Sequence, residues 1–164
     1  MILLAAGDAS PLARVLRCLQ AQSLRAGIEI VIVAPRRDGL DFEPEHLAGF
    51  HSLQVVETGV LKAIGPAYAA GARRALAEVV AFGEDHSFPD PGWAEALLEA
   101  NGEGIAAVGP AVRNANPGNA VSWADLLIAY APWLHPAPAG EPAFLPGHNS
   151  SYHRDVLLTC GERL

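Results

Sequence analysis

The sequence predicts an α/β fold, with a mostly parallel central sheet and helices on both faces. Two observations carry this expectation. Short, nearly unbroken apolar runs alternate along the chain with segments of helical period, which is the pattern of βαβ units. Two of the helical segments open on Ser-Pro or Asp-Pro, a start signal that joins a capping side chain to a proline preset for the first turn. Composition agrees: of 164 residues, 51% are hydrophobic and 18% charged, ample for a packed core and too apolar for a disordered chain. The length suits a single domain over residues 1–164.

In chain order, residues 2–6, 28–34, 79–82 and 105–108 are the apolar runs and read as inner strands buried on both faces. Residues 51–57 are a more mixed fifth candidate. After the first run, Ser10-Pro11 supplies an N-cap and an N1 proline, and Leu12, Val15, Leu16 and Leu19 then fall on one helical face. Residues 65–77 have helical spacing but small side chains, with Ala67, Ala69, Ala70, Gly71, Ala72 and Ala75. Such a helix brings its backbone close to a sheet or a ligand. Asp90-Pro91 repeats the start signal ahead of Trp93, Ala94, Leu97 and Leu98, with Gly102 as the residue past the cap. Shorter helices are expected over 121–129 and 152–158, the latter capped by Ser150 or Ser151. Residues 131–146, with Pro132, Pro136, Pro138, Pro142 and Pro146, read as an ordered wrapping loop or a linker.

Charge excludes one class of partner. Eleven Lys and Arg against eighteen Asp and Glu leave a net charge of −7, so no basic surface is offered to a phosphate backbone and no nucleic acid is expected. Cys18 and Cys160 match no metal or redox spacing and read as reduced thiols. The apolar N-terminus lacks a preceding positive charge and reaches Asp8 too soon for a signal sequence or a transmembrane segment. The expected location is cytoplasmic.

In open parallel sheets ligands bind beyond the carboxyl ends of the strands. One such end stands out, because the strand at 79–82 runs directly into Glu84, Asp85 and His86. Carboxylate and imidazole together suit Mn²⁺, and carboxylate alone suits Mg²⁺. The competing reading is a polar turn, with Asp90 capping the next helix. No Walker loop, dinucleotide fingerprint, zinc-protease pair or nucleophile elbow is present. His46, His51, His135 and His153 read as surface or core residues, and His148 and His153 are spaced wrongly to share a helix face. Trp93 is expected to pack beneath the acidic turn.

Ile2-Leu-Leu-Ala-Ala-Gly7 resembles the opening of sugar-phosphate nucleotidyltransferases, but no second glycine follows in Asp8-Ala9-Ser10-Pro11. A broader resemblance covers essentially the whole chain. Leu12-Ala-Arg-Val-Leu-Arg-Cys-Leu-Gln-Ala-Gln22 is similar to the first helix of family 2 glycosyltransferases, Leu-x-x-x-Leu-x-Ser-Leu-x-x-Gln. Gly65-Pro-Ala-Tyr-Ala-Ala-Gly71 resembles their Gly-x-Ala-Arg-Asn-x-Gly helix start, and the strand with Glu84-Asp85-His86 follows at the usual distance. Leu145-Pro-Gly-His-Asn-Ser-Ser-Tyr152-His-Arg154 resembles the acceptor-side segment, where Gly-x-Asn precedes an aromatic and an Arg.

The resemblance implies the nucleotide-diphospho-sugar transferase (Rossmann-like) fold and transfer of a sugar from a nucleotide-sugar donor to an acceptor hydroxyl, with inversion and a divalent metal. It places Ala5, Ala6, Gly65, Tyr68, Glu84 and Asp85 at the donor, Asp85 and His86 at the Mn²⁺ or Mg²⁺ ion, and His148 and Asn149 on the acceptor side. Residues 1–110 would then be the donor-binding part and 111–164 a partial acceptor-side part. Glu84-Asp85-His86 departs from the common Asp-x-Asp, and polypeptide N-acetylgalactosaminyltransferases are similar in using Asp-x-His there. The place of the family's base-contacting acid holds Ala34-Pro35-Arg36-Arg37, with Asp38 the nearest acid. The family's general base lies beyond Gly161, and Glu162 is the last acid of this chain. The expectation is therefore a chain truncated at its C-terminus, with its catalytic residue unknown. A non-catalytic nucleotide-sugar-binding module is the alternative, and a nucleotidyltransferase a more distant one. A homodimer through the uncovered face is also expected.

Overall fold

The computed structural model describes residues 1–6 and 10–161. Gly7, Asp8, Ala9 and Glu162 lie outside the described residues. The elements are β1 (Ile2–Leu4), α1 (Leu12–Gln20), β2 (Glu29–Ala34), α2 (Pro44–Leu47), β3 (Ser52–Glu57), α3 (Ile64–Arg74), β4 (Val79–Gly83), α4 (Trp93–Ala100), β5 (Ala107–Val108), α5 (Ala120–Tyr130), β6 (Ser151–His153) and α6 (Arg154–Cys160), with short 3₁₀ turns at Arg25–Gly27 and Ala131–Trp133. They form one six-stranded sheet in the order β3-β2-β1-β4-β6-β5. β3, β2, β1 and β4 run parallel, while β6 is antiparallel to both its neighbours.

Strand alternation divides the core into two halves. Ile2, Val31, Val33, Val80 and Phe82 face α3 and α6, meeting Ala67, Tyr68, Ala72, Ala75 and Leu157. Leu3, Ile30, Ile32 and Ala34 face the other way, onto Leu12, Val15, Leu16 and Leu19 of α1. Helices on both faces are therefore what the continuous apolar runs require, because a strand buried on both sides needs two covers.

Three expectations are corrected. The run at 105–108 is no inner strand but a half-buried edge pair, because β6 inserts antiparallel between it and β4. The helix expected from Tyr152 starts only at Arg154, and Ser150 and Ser151 do not cap it. Both are fully buried, with Ser150 Oγ donating to Pro146 O at 2.8 Å and Ser151 Oγ accepting from Asn101 Nδ2 at 2.6 Å. Asp90 does not cap α4, for its carboxylate pairs with Arg113. The Ala94 amide at the start of α4 donates instead to Gln22 Oε1 at 3.0 Å, and Gln22 Nε2 donates to Asp90 O at 2.8 Å. Gln22, 3% exposed, thus ties the end of α1 to the start of α4.

The proline-rich stretch is an ordered wrap rather than a linker. Val112 N donates to Trp133 O at 2.9 Å and His135 N to Val112 O at 2.8 Å, so its first residues bridge to the 110–116 segment. β2 also carries a charge that its apolar pattern does not announce. Glu29 is 5% exposed, and its carboxylate accepts from Gln54 Nε2 at 2.8 Å and from the Leu76 and Ala77 amides at 2.8 and 3.2 Å. Arg154 likewise meets the carbonyls of Ala72 and Arg73 at the C-terminal end of α3, where a cation is favoured. Cys18 and Cys160 are both free and half-buried. Among the described residues no helix is long and apolar enough to cross a membrane.

The small-residue face of α3 has a direct steric reason. A Cβ at Gly71 would stand 2.7 Å from Ile2 Cγ2 and 3.0 Å from Val33 Cγ2, closer than packed side chains tolerate. Gly71→Ala gains helix propensity of about 1 kcal/mol but overpacks the sheet by about 1–3 kcal/mol. Urea unfolding is expected to show net destabilisation of up to about 2 kcal/mol, and a stabilised variant would contradict the close approach.

Candidate functional site

β4 ends at Gly83, and the backbone then turns at Asp85 and His86. Tyr68 supports this end from below. It is 7% exposed, its ring stacks on Phe82 at 4.3 Å, and its hydroxyl donates to Gly83 O at 3.2 Å. Its ring is therefore committed to the core, and no open face remains for stacking on a nucleotide.

Glu84 is the centre of the cluster that follows. Its side chain is 20% exposed, and donors reach it from three parts of the chain. Tyr130 OH at the end of α5 donates to Oε2 at 2.6 Å, Ser87 Oγ at 3.3 Å and Asn149 Nδ2 at 3.3 Å. His148 Nδ1 lies 3.3 Å from Oε1, and His86 Nε2 lies 3.5 Å from Oε2. The other ring nitrogen of His86 meets Asp85 Oδ1 at 2.9 Å, so two carboxylates bracket this imidazole. Asp85 and His86 are exposed and face solvent.

Asn149 locks the downstream loop onto β4. Its backbone N donates to Phe82 O at 2.8 Å, its side chain reaches Ser87 Oγ at 2.9 Å, and its φ of +60° lies in the left-handed region that asparagine tolerates. His148 packs edge-on against the Tyr130 ring at 5.0 Å, and its Nε2 is buried without a partner.

The structure therefore brings Glu84, Asp85, His86, His148 and Asn149 into one cluster across 65 residues of sequence. Ala5, Ala6 and Gly65 make no hydrogen bond to it. Ala5 is 2% exposed in the core, while Ala6 is exposed and Gly65 half-exposed near the N-terminus of α3. Trp93 packs against the α1 side of the core. Arg36 pairs with Asp38 on the surface, and Lys62 is exposed. Sequence reasoning missed Tyr130 and Ser87. The available signal was a tyrosine closing an otherwise apolar helix, whose hydroxyl needs a partner once the ring is covered.

The donor atoms here, carboxylate oxygen and imidazole nitrogen, suit a hard divalent cation. The arrangement is nevertheless incomplete as a metal centre. Among the described residues no group of three or more His, Cys, Asp or Glu is placed to hold an ion. Glu84 is turned inward, and both His86 nitrogens face carboxylates.

No protein-family model matches this sequence, and no curated protein does. Solved structures do match. The mannosyltransferase PcManGT from Pyrobaculum calidifontis, in complex with GDP-Man and Mn²⁺, superposes on 98% of this chain and 45% of its own, with a TM-score of 0.67 and 16% identity. A mycobacterial protein matches 94% of this chain and 52% of its own, with a TM-score of 0.54 and 18% identity. The six-stranded α/β fold is shared with both structures. At these identities the likeness establishes architecture, and the chain spans about half the length of either protein.

Two tyrosines report on this site. Burial, then the negative charges of Glu84 and Asp85, push the Tyr68 phenol up to about 12. Burial and the hydrogen bond to Glu84 raise that of Tyr130 as well. With a folded-state pKa above the ordinary value of about 10, the Tyr68 contribution to stability is complete below pH 10 and is lost as pH rises through about 12. Phenolate absorbance of the native protein is expected to rise late, and Tyr68→Phe to remove the part of that rise centred at about 12. Tyr130→Phe is expected to lower unfolding stability at neutral pH by about 1.5 kcal/mol, as for a hydrogen bond to a charged group, and an unchanged denaturation midpoint would refute that contact.

Proposed function

We propose that this chain is a family 2-type glycosyltransferase domain that binds a nucleotide-sugar and passes its sugar to an acceptor hydroxyl with inversion. The observation that carries this reading is the convergence of the acidic turn after β4 with His148 and Asn149, on a fold shared with a protein solved with GDP-Man and Mn²⁺. In this reading residues 1–110 form the donor part and 111–164 the acceptor part. Ala5, Ala6 and Gly65 would offer backbone to the nucleotide, because their side chains are too small to obstruct it.

Asp85 and His86 would hold a divalent ion, with the diphosphate oxygens of the donor and water completing its shell, as is usual for cations held by few protein ligands. The ion would neutralise the charge that an acidic protein otherwise repels. Glu84 takes a different part from the donor contact suggested by sequence. Held by Tyr130, Ser87 and Asn149, it is a positioning residue that aims His86 and the turn.

A second reading has its own support. Both His86 nitrogens are engaged by carboxylates, which suits a module that binds nucleotide-sugar without turnover. Donor consumption in the presence of an acceptor separates the two.

The test is calorimetric titration of UDP and GDP, with and without Mn²⁺, into wild type and His86→Ala. Binding is expected to require Mn²⁺ and to weaken at least tenfold in the variant, equivalent to about 1.4 kcal/mol. If neither nucleotide binds, the proposal fails.

A further inference from the structure

A groove of about 1110 Å³ opens beside the acidic turn. It shares His86, Ser87, Tyr130 and Asn149 with the cluster described above, but none of Ala5, Ala6, Gly65 or Tyr68. One wall is α5, whose Ser122, Asp125, Leu126, Ala129 and Tyr130 fall at the spacing of a single helical face. The facing wall is the 110–116 segment, and Trp93 and Phe88 contribute rings. The volume lies just above the roughly 300–1,000 Å³ usual for small-molecule sites. It therefore suits an extended ligand rather than a single small ring.

The charge pattern narrows the chemistry. The groove holds Arg113, but Asp90 neutralises it. Asp125 is exposed and forms no ion pair among the described residues, so it presents its carboxylate to the groove. Asn114 Oδ1 accepts from the Asn116 amide at 2.7 Å and from Ser122 Oγ at 2.8 Å, while its Nδ2 is buried with no partner among the described residues. Arg14, over the Phe88 ring at 3.7 Å, also lines the groove, so Arg14 and Arg113 balance Asp90 and Asp125, and no net positive charge is left to hold an anionic ligand. A purely apolar ligand would leave the Asp125 carboxylate desolvated. A ligand rich in neutral hydroxyls satisfies the carboxylate by donating to it, while its C–H faces lie against the rings.

We infer that this groove binds a neutral oligosaccharide, which makes the acceptor of the proposed transferase a sugar chain rather than a phosphorylated or lipid-like molecule. The inference rests on the glycosyltransferase reading for the word acceptor, but the binding itself does not. Asp125 is the contact residue, Asn116 lines the groove beside it, and both are exposed, so their replacement leaves the core intact.

The experiment titrates cellotriose, mannotriose and chitotriose, with glucose 6-phosphate as the anionic probe, into wild type, Asp125→Ala and Asn116→Ala. UDP and GDP are titrated into wild type in parallel. At least one neutral trisaccharide is expected to bind, more tightly than glucose 6-phosphate, with affinity lowered about tenfold in Asp125→Ala. Absence of binding by all three, tighter binding of the phosphate, or an Asp125→Ala variant with unchanged affinity overturns the inference. Nucleotide binding without saccharide binding sinks this inference alone. Saccharide binding without nucleotide binding sinks the transferase reading and leaves a sugar-binding groove.

Discussion

The candidate site depends on how one carboxylate is satisfied. Glu84 sits at the end of a buried strand with only a fifth of its side chain exposed, where an ionised group without partners would cost several kcal/mol. The chain meets that cost with charge-assisted hydrogen bonds, which are stronger than neutral ones. They come from the turn itself, from the last residue of α5, and from the loop entering β6. Three segments far apart in sequence therefore have a common reason to converge. Among them, α5 needs it most, since it buries none of its own residues fully. Its order near the site comes from Tyr130 rather than from a packed apolar face.

This explains why the sheet was legible in the sequence and the site only half so. β1, β2 and β4 are buried on both faces, and an apolar run is all that such a strand needs. α1 declares itself through Leu12, Val15, Leu16 and Leu19, all of them buried as the spacing requires. β6 gives no such signal. Ser151, Tyr152 and His153 span too few residues for a period, and Ser151 is buried because Asn101 satisfies its hydroxyl, a pairing fixed only in three dimensions. Gln22 and Asp90 exchange roles for the same reason. A local rule gives the cap to Asp90, but Arg113 claims its carboxylate and Gln22 arrives to bond the helix amide.

At the site, Glu84, Asp85 and His86 were visible because acids directly after an apolar strand are chemically conspicuous. Their separate roles were not. Nothing in the order Glu-Asp-His says that the first turns inward and the other two face solvent, since that depends on Tyr130 lying 46 residues away. Tyr68 shows the converse case. It stands where the resemblance suggests a donor contact, yet its ring stacks on Phe82 and holds up the end of the strand.

The antiparallel strand also has a consequence in time. The free edge of β4 pairs with Val79 against His153, Val80 against Tyr152 and Ala81 against Ser151, partners that emerge from the ribosome roughly 70 residues later. At about 5–20 residues per second, that edge waits some 4–15 s for its cover, while β1, β2 and β3 have already been made. An unpaired strand edge is a template for any other chain nearby. The half of the sheet that carries the acidic turn is thus the last to close and the most exposed to mispairing during synthesis.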